Sequence, residues 1–86
     1  MNMFVDLELR GLPPPEPLIQ ATSQMAMLEP GQVLRITLDR EPYPLYEIAK
    51  EQGFRVRVKE FEPGQFHIHL WEDSSVPEDS IPGEAR

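Results

Sequence analysis

The sequence contains no cysteine, and its 86 residues include only one Trp, two Tyr and two His. Without a thiol the chain cannot form a disulfide, a thiolate metal site or a cysteine nucleophile. It also lacks a basic start followed by an apolar run, and no stretch approaches the ~20 apolar residues that cross a bilayer. A chain of this length forms one small domain. We therefore expect a cytoplasmic protein with no membrane partner.

Basic residues are also scarce, since the chain has eight Lys and Arg but 15 Asp and Glu, which gives a net charge of -7. Much of this excess is at the end of the chain, where residues 72–86 hold five acids and one base. The same stretch is rich in Ser, Pro and Gly, a composition with few groups to bury. The sequence therefore predicts a folded domain over residues 1–72 and a disordered acidic tail over residues 73–86.

Alternating apolar and polar residues predict four strands, at residues 4–9, 33–38, 54–59 and 66–71. Apolar residues at helical spacing predict two helices, one that starts at Pro15 or Pro17 and one over residues 44–52. The order βαβαββ predicts an α/β (α+β) two-layer sandwich, and right-handed crossovers place both helices on one face of the sheet. The other face is expected to be open and to display Asp6, Glu8, Arg35, Thr37, Arg55, Arg57, Lys59, His67, His69 and Trp71.

Residues 10–17 read Arg-Gly-Leu-Pro-Pro-Pro-Glu-Pro. This run resembles the strand-to-helix turn of the TusA/SirA-like sulfur carriers, roughly Arg-Gly-Leu-x-Cys-Pro-x-Pro, with Pro14 in the cysteine position. The resemblance implies a mixed four-stranded sheet of order 1-2-4-3 with strand 4 antiparallel to the others. Because the chain has no thiol, persulfide relay is chemically impossible for it.

A closer resemblance is to the uncharacterised bacterial relatives of these carriers, a domain of unknown function without the cysteine. They share an Arg-Gly-Leu-x-Pro-Pro-x-Pro run and a Pro-x-Pro-Leu step into the second helix, which here is Pro42-Tyr43-Pro44-Leu45. This resemblance implies the fold, but it names no reaction.

One edge of the predicted sheet carries the candidate binding site. Parallel strands 1 and 2 end there, which brings Arg10 close to Asp39 and Arg40 beside the start of the first helix. Guanidinium groups and helix amides could bind a small anion or a partner's carboxylate. The alternative is that Arg10 pairs with Asp39 or Glu41 and only fixes the loops. The candidate binding residues are Arg10, Gly11, Pro14, Pro15, Glu16, Asp39 and Arg40.

The two histidines give little reason to expect a metal or a cofactor. His67 and His69 project to the same face of one strand, but no third ligand is evident and neighbouring basic side chains repel a cation. No nucleophile lies beside a base, so we expect no catalytic residues and no enzyme activity.

Basic residues and Trp71 on the open face suggest nucleic-acid binding, since bases stack on aromatic side chains. A strongly acidic protein repels polyanions, so this interpretation ranks low. The favoured hypothesis is a non-enzymatic protein-interaction or regulatory module with a protein partner. The alternative is an auxiliary protein of sulfur or redox metabolism that binds a small anionic ligand or a sulfur-carrying partner.

Overall fold

A computed structural model describes residues 3–86 of the chain. The first two residues of the predicted domain 1–72 lie outside the described residues. Eight elements follow one another, including one short 3-10 helix (Glu78–Ser80). The strands and α-helices are β1 (Phe4–Glu8), α1 (Glu16–Met27), β2 (Val33–Leu38), α2 (Tyr43–Glu51), β3 (Phe54–Glu62), β4 (Gln65–Glu72) and β5 (Glu84–Ala85).

The five strands form one mixed sheet of order β1-β2-β4-β3-β5. β1 pairs with β2 in parallel, and β4 is antiparallel to both of its neighbours. The first four strands therefore lie in the predicted order 1-2-4-3. The prediction of only four strands is wrong, because β5 pairs antiparallel with β3 at Arg57 and Val58.

The main core lies between the sheet and the two helices. Alternate residues of the central strands, such as Ile36 and Ile68, are buried there because a strand directs every second side chain to the same face. α1 contributes Ala21 and Met25 to this core, and α2 contributes Leu45 among others. Both helices thus cover the same face, as predicted for right-handed crossovers. Within residues 3–86, neither α-helix is long and apolar enough to span a membrane.

Prolines determine where both helices begin. Pro15 precedes α1 and Pro17 lies in its first turn, while Pro42 precedes α2 and Pro44 lies in its first turn. A proline is tolerated at these positions because the first N–H groups of a helix have no intrahelical partner. As a result, the starts of both helices present proline rings.

Residues 73–86 pack against the sheet, which corrects the prediction of a disordered tail. Ile81 is 3% exposed and forms a second buried cluster with Val76, Val33 and Trp71. These two apolar side chains help to hold the segment, because Trp71 offers a large apolar surface on the face opposite the helices. The face predicted to be open is thus covered in part.

Candidate functional site

A pocket of about 230 Å³ lies between the starts of the two α-helices and the end of β2. We call it the proline pocket. Five of its nine lining residues are prolines, three are leucines, and one is charged. Its lining consists of Pro14, Pro15, Pro17, Leu18, Leu38, Arg40, Pro42, Pro44 and Leu45.

The walls of the proline pocket offer a ligand few hydrogen-bond donors. A proline has no backbone N–H, and two amides at the helix starts, those of Glu16 and Leu45, already donate within the protein. The Glu16 N–H donates to the Pro13 carbonyl at 3.0 Å, and the Leu45 N–H donates to the Pro42 carbonyl at 2.9 Å. The surface is therefore apolar, whereas the sequence suggested an anion cradle built from free helix amides.

Arg10 does not line the proline pocket. Its guanidinium forms an ion pair with Glu8 and donates a 3.1 Å hydrogen bond to the Gln65 side chain. The hydrogen bond from Arg10 lowers the pKa of Glu8 below its ordinary value. The pairing of Arg10 with Asp39 or Glu41, considered as an alternative above, is not formed. Arg10 pairs instead with the nearer carboxylate of Glu8, which lies two residues before it at the end of β1.

Arg40 is the charged residue of the pocket lining, and its side chain is 62% exposed. Its nearest carboxylate, that of Asp39, lies 3.8 Å away, close to the outer limit of an ion pair. The guanidinium is thus open to a second anionic group. Of the other predicted site residues, Pro14 and Pro15 line the pocket. The exposed residues Gly11 and Glu16 lie in the preceding turn and in the first turn of α1.

Glu41, between two pocket residues in sequence, is the centre of a polar cluster. It accepts hydrogen bonds from the hydroxyls of Tyr43 at 3.0 Å and Tyr46 at 2.8 Å. It also forms an ion pair with Arg86, whose Nε lies 2.9 Å from a carboxylate oxygen. Burial raises the pKa of Glu41, but the hydrogen bonds from Arg86, Tyr46 and Tyr43 outweigh it and leave the pKa below the ordinary value.

Sequence reasoning missed this cluster. The sequence interpretation treats Glu41 only as a partner for Arg10 and places Arg86 in a disordered tail. The pairing joins residues 45 positions apart, and nothing in the local pattern indicates it. The one available signal is the spacing of Tyr43 and Tyr46, because residues three positions apart lie on the same side of a helix.

The two histidines lie on the opposite face of the sheet, and they are less exposed than predicted. His69 is 1% exposed and packs edge-on against Phe4, with ring centroids 6.1 Å apart. Neither of its ring nitrogens has a hydrogen-bond partner in residues 3–86. Burial lowers the pKa of His69 to about 4. The half-buried His67 stacks on Phe61, and burial lowers its pKa as well.

The described residues contain no cluster of three or more His, Cys, Asp or Glu side chains that could hold a metal ion. Cationic side chains flank the buried histidine, because Arg35 and Arg57 are its partners in the neighbouring strands. Two imidazoles beside two guanidinium groups do not form a cation site.

Most of the groups on which a nucleic-acid interpretation depends are engaged within the protein. Arg35 pairs with Asp6 at 2.6 Å, and Arg55 pairs with Asp73 at 3.0 Å. Trp71 was predicted to be displayed for stacking, but it is 1% exposed beneath the segment 73–86. The face opposite the helices therefore presents neither a free aromatic ring at Trp71 nor a row of unpaired guanidinium groups.

The fold and the site define a class of protein: a small two-layer α+β domain with an open mixed sheet and a proline-lined pocket at the helix starts. The chain belongs to the family described as "Uncharacterized conserved protein (DUF2249)", whose model matches residues 6–72. No curated protein and no solved structure matches the chain. The match includes the whole proline pocket, and the segment 73–86 lies beyond it.

Proposed function

We propose that the chain is a non-enzymatic protein-interaction module that binds an apolar side chain of a protein partner in the proline pocket. The observation that carries this proposal is the pocket wall itself, eight of whose nine residues are Pro or Leu. Three of its prolines, Pro14, Pro15 and Pro44, are exposed. A concave apolar patch at the surface is typical of an interaction site.

The size of the pocket favours a single side chain over a complete small-molecule ligand. Pockets for drug-sized ligands and cofactors usually enclose about 300–1,000 Å³, whereas this one encloses about 230 Å³. Protein interfaces, in contrast, often depend on one apolar or aromatic anchor that fills a small pocket surrounded by polar groups. The proline pocket has the dimensions and the lining for such an anchor.

The prolines also favour tight binding, because their rings hold the backbone torsion φ near one value. A wall that is already fixed loses little conformational freedom when a ligand binds, and this lowers the cost of association. Arg40 favours one orientation of the partner segment, because its exposed guanidinium can pair with a carboxylate next to the anchor. The preferred partner segment thus carries an apolar side chain beside an acidic group.

A small anionic ligand, such as a metabolite of sulfur or redox chemistry, is the second candidate. The loosely paired guanidinium of Arg40 favours it. Such a ligand would need further donors, however, and Arg10, the other guanidinium assigned to this edge from the sequence, is held by Glu8 and Gln65. The geometry supports a mainly apolar ligand better.

Peptide display tests the proposal, with the wild-type protein and the Pro44→Glu variant selected in parallel. Glu is well tolerated in the first turn of a helix, so this variant should fold and place a charge at the pocket mouth. Pro30→Glu, a substitution in a turn that does not line the pocket, is the matched control. We expect peptides with an apolar residue next to an acidic group to bind the wild type and Pro30→Glu but not Pro44→Glu. Selected peptides that bind all three proteins equally would contradict the proposal.

A further inference from the structure

The segment 73–86 crosses from one face of the sheet to the other. It begins on the face opposite the helices, where Val76 and Ile81 pack with Trp71. It then passes along the outer edge of β3 as β5, and the Arg86 N–H donates a 3.0 Å hydrogen bond to the Val56 carbonyl. From there the Arg86 side chain reaches Glu41, beside the helices.

Glu41 connects this segment to the proline pocket. The pocket-lining residues Arg40 and Pro42 flank it in sequence, and its hydrogen bond to the Tyr46 hydroxyl ties it to α2 directly after the pocket residue Leu45. One carboxylate therefore holds the loop that forms one wall of the pocket. The Arg86–Glu41 pair is mostly buried, with side-chain exposures of 29% and 16%, so solvent screens it less than a surface pair.

We propose that Arg86 is a positioning residue for the proline pocket, which it serves by holding Glu41 and the loop of residues 39–43 in place. The expected effect of Arg86 on partner binding rests on the proposed function. Its structural part, that docking of the segment 73–86 determines the order of this loop, stands by itself. If both hold, partner binding and docking of the segment stabilise each other by the same factor, since coupling between two equilibria is reciprocal.

The contacts of Arg86 separate this role from general support of the fold. Its hydrogen bond to Val56 comes from the backbone and survives replacement of the side chain. Its other carboxylate contact, with the exposed Glu84 at 3.9 Å, lies outside the pocket loop. Removal of the guanidinium should therefore act mainly through Glu41. Arg55, which joins the same segment to the sheet through Asp73 far from the pocket, provides a matched control.

Amide hydrogen exchange of the full chain, measured by NMR, tests the proposal in Arg86→Ala, Arg86→Lys and Arg55→Ala. The informative amides are Tyr43 and Leu45, which close the turns at the start of α2. In Arg86→Ala we expect these amides to exchange about fivefold faster or more, the effect of losing roughly 1 kcal/mol of local stability. Arg86→Lys should restore part of the protection, and Arg55→Ala should leave both amides unchanged. Unchanged exchange in Arg86→Ala, or equal acceleration in Arg55→Ala, would overturn the proposal.

Binding of N-acetyl-phenylalanine, which carries an aromatic ring beside a carboxylate, is measured in the same samples. We expect about fivefold weaker binding to Arg86→Ala than to the wild type, in step with the loss of loop order. If the probe binds all variants equally while exchange accelerates, the role of Arg86 in binding is refuted. If the wild type binds no probe but exchange accelerates as expected, the proposed function fails and the positioning of the loop by Arg86 stands.

Discussion

Arg57 on β3 donates two hydrogen bonds from its guanidinium, at 2.7 and 3.0 Å, to the backbone carbonyl of Gly83. A third hydrogen bond, at 3.3 Å, goes to the carbonyl of Glu78. A side chain predicted to lie on an open sheet face thus binds the segment 73–86 to the sheet. Charge-assisted hydrogen bonds are stronger than neutral ones, so this contact helps to make the segment a part of the fold.

Deletion of residues 73–86 should destabilise the protein strongly. It removes the buried side chains of Val76 and Ile81 and exposes Trp71, and each buried aliphatic side chain contributes about 1.5–3 kcal/mol. We expect a loss of about 3 kcal/mol or more in the free energy of unfolding, measured by denaturant titration with Trp71 fluorescence as the signal. An unchanged unfolding midpoint would show that the segment does not dock.

Substitution of Gly83 by Ala tests the docking of this segment with a single methyl group. A Cβ there would lie 2.6 Å from the Val58 carbonyl carbon and oxygen, and the backbone has a φ of +100°. Gly31→Ala is the matched control, because its φ is +91° but no atom lies within 4 Å of the added Cβ. The free energy of unfolding of the control should fall by about 1–2 kcal/mol, because alanine is disfavoured at a left-handed φ. Gly83→Ala should lose a further 1–3 kcal/mol, roughly, from the steric clash. Equal decreases in thermal stability for Gly83→Ala and Gly31→Ala would contradict the close approach of Gly83 to β3.

The sheet and its helical face could be predicted from the sequence because the pattern there is periodic. Val56 and Val58 alternate with charged residues, and both side chains are buried as expected. The segment 73–86 has no such period. Ile81 and Val76 are isolated among Pro, Ser and acidic residues, and composition alone indicated disorder. Their burial depends on Trp71, which belongs to another element, and a local pattern carries no information about such a contact.

Three of the candidate site residues lie together in the structure, because Pro14, Pro15 and Arg40 all line the proline pocket. The sequence interpretation emphasised charge, whereas the structure directs Arg10 to Glu8 and lines the pocket with proline rings. Leu38 belongs to the apolar pattern of β2, and Leu45 belongs to that of α2. A residue at the margin of a core can also form a pocket wall, and hydrophobic periodicity does not separate the two.

His69 makes the stability depend on pH in the mildly acidic range. Its pKa is about 4 in the folded protein, against about 6.5 in an unfolded chain. The folded state therefore keeps the ring neutral while the unfolded state takes up a proton, so stability falls as the pH decreases below about 6.5. We expect a loss of about 2 kcal/mol between pH 7 and pH 5 from this group.

The variant His69→Phe should flatten this decline, because its ring fills a similar space next to Phe4 and cannot be protonated. The other ionisable groups near His69 are Arg57 and Arg35 in the neighbouring strands, together with His67 and Asp6. The pKa of His67 is also lowered, so a smaller slope should remain. Denaturant unfolding at a series of pH values measures both curves. Parallel curves for the wild type and His69→Phe would show that this histidine is not buried as a neutral ring.

Replacement of Arg40 by Ala should weaken the binding of a ligand that carries a carboxylate. The binding of a ligand without a carboxylate should stay the same. We expect roughly tenfold weaker binding of N-acetyl-phenylalanine, the effect of losing about 1.4 kcal/mol from a charge-assisted contact, and little change for N-acetyl-phenylalaninamide. Arg10→Ala should leave both affinities unchanged, because Arg10 does not line the pocket. Lys50→Ala, which removes an exposed charge on α2, controls for net charge. Calorimetry that shows equal effects for Arg10 and Arg40 would favour an anion site spread along the edge.

The most direct test of the central claim, that the proline pocket binds an apolar side chain, is methyl NMR during titration with N-acetyl-phenylalaninamide. The methyl groups of Leu18, Leu38 and Leu45 line the pocket, and those of Val76 and Ile81 lie on the opposite face of the sheet. We predict saturable shifts of the three leucines, silence at Val76 and Ile81, and loss of the shifts in Pro44→Glu. Shifts confined to Val76 and Ile81, or no saturable shift at any of the three leucines, would contradict the claim.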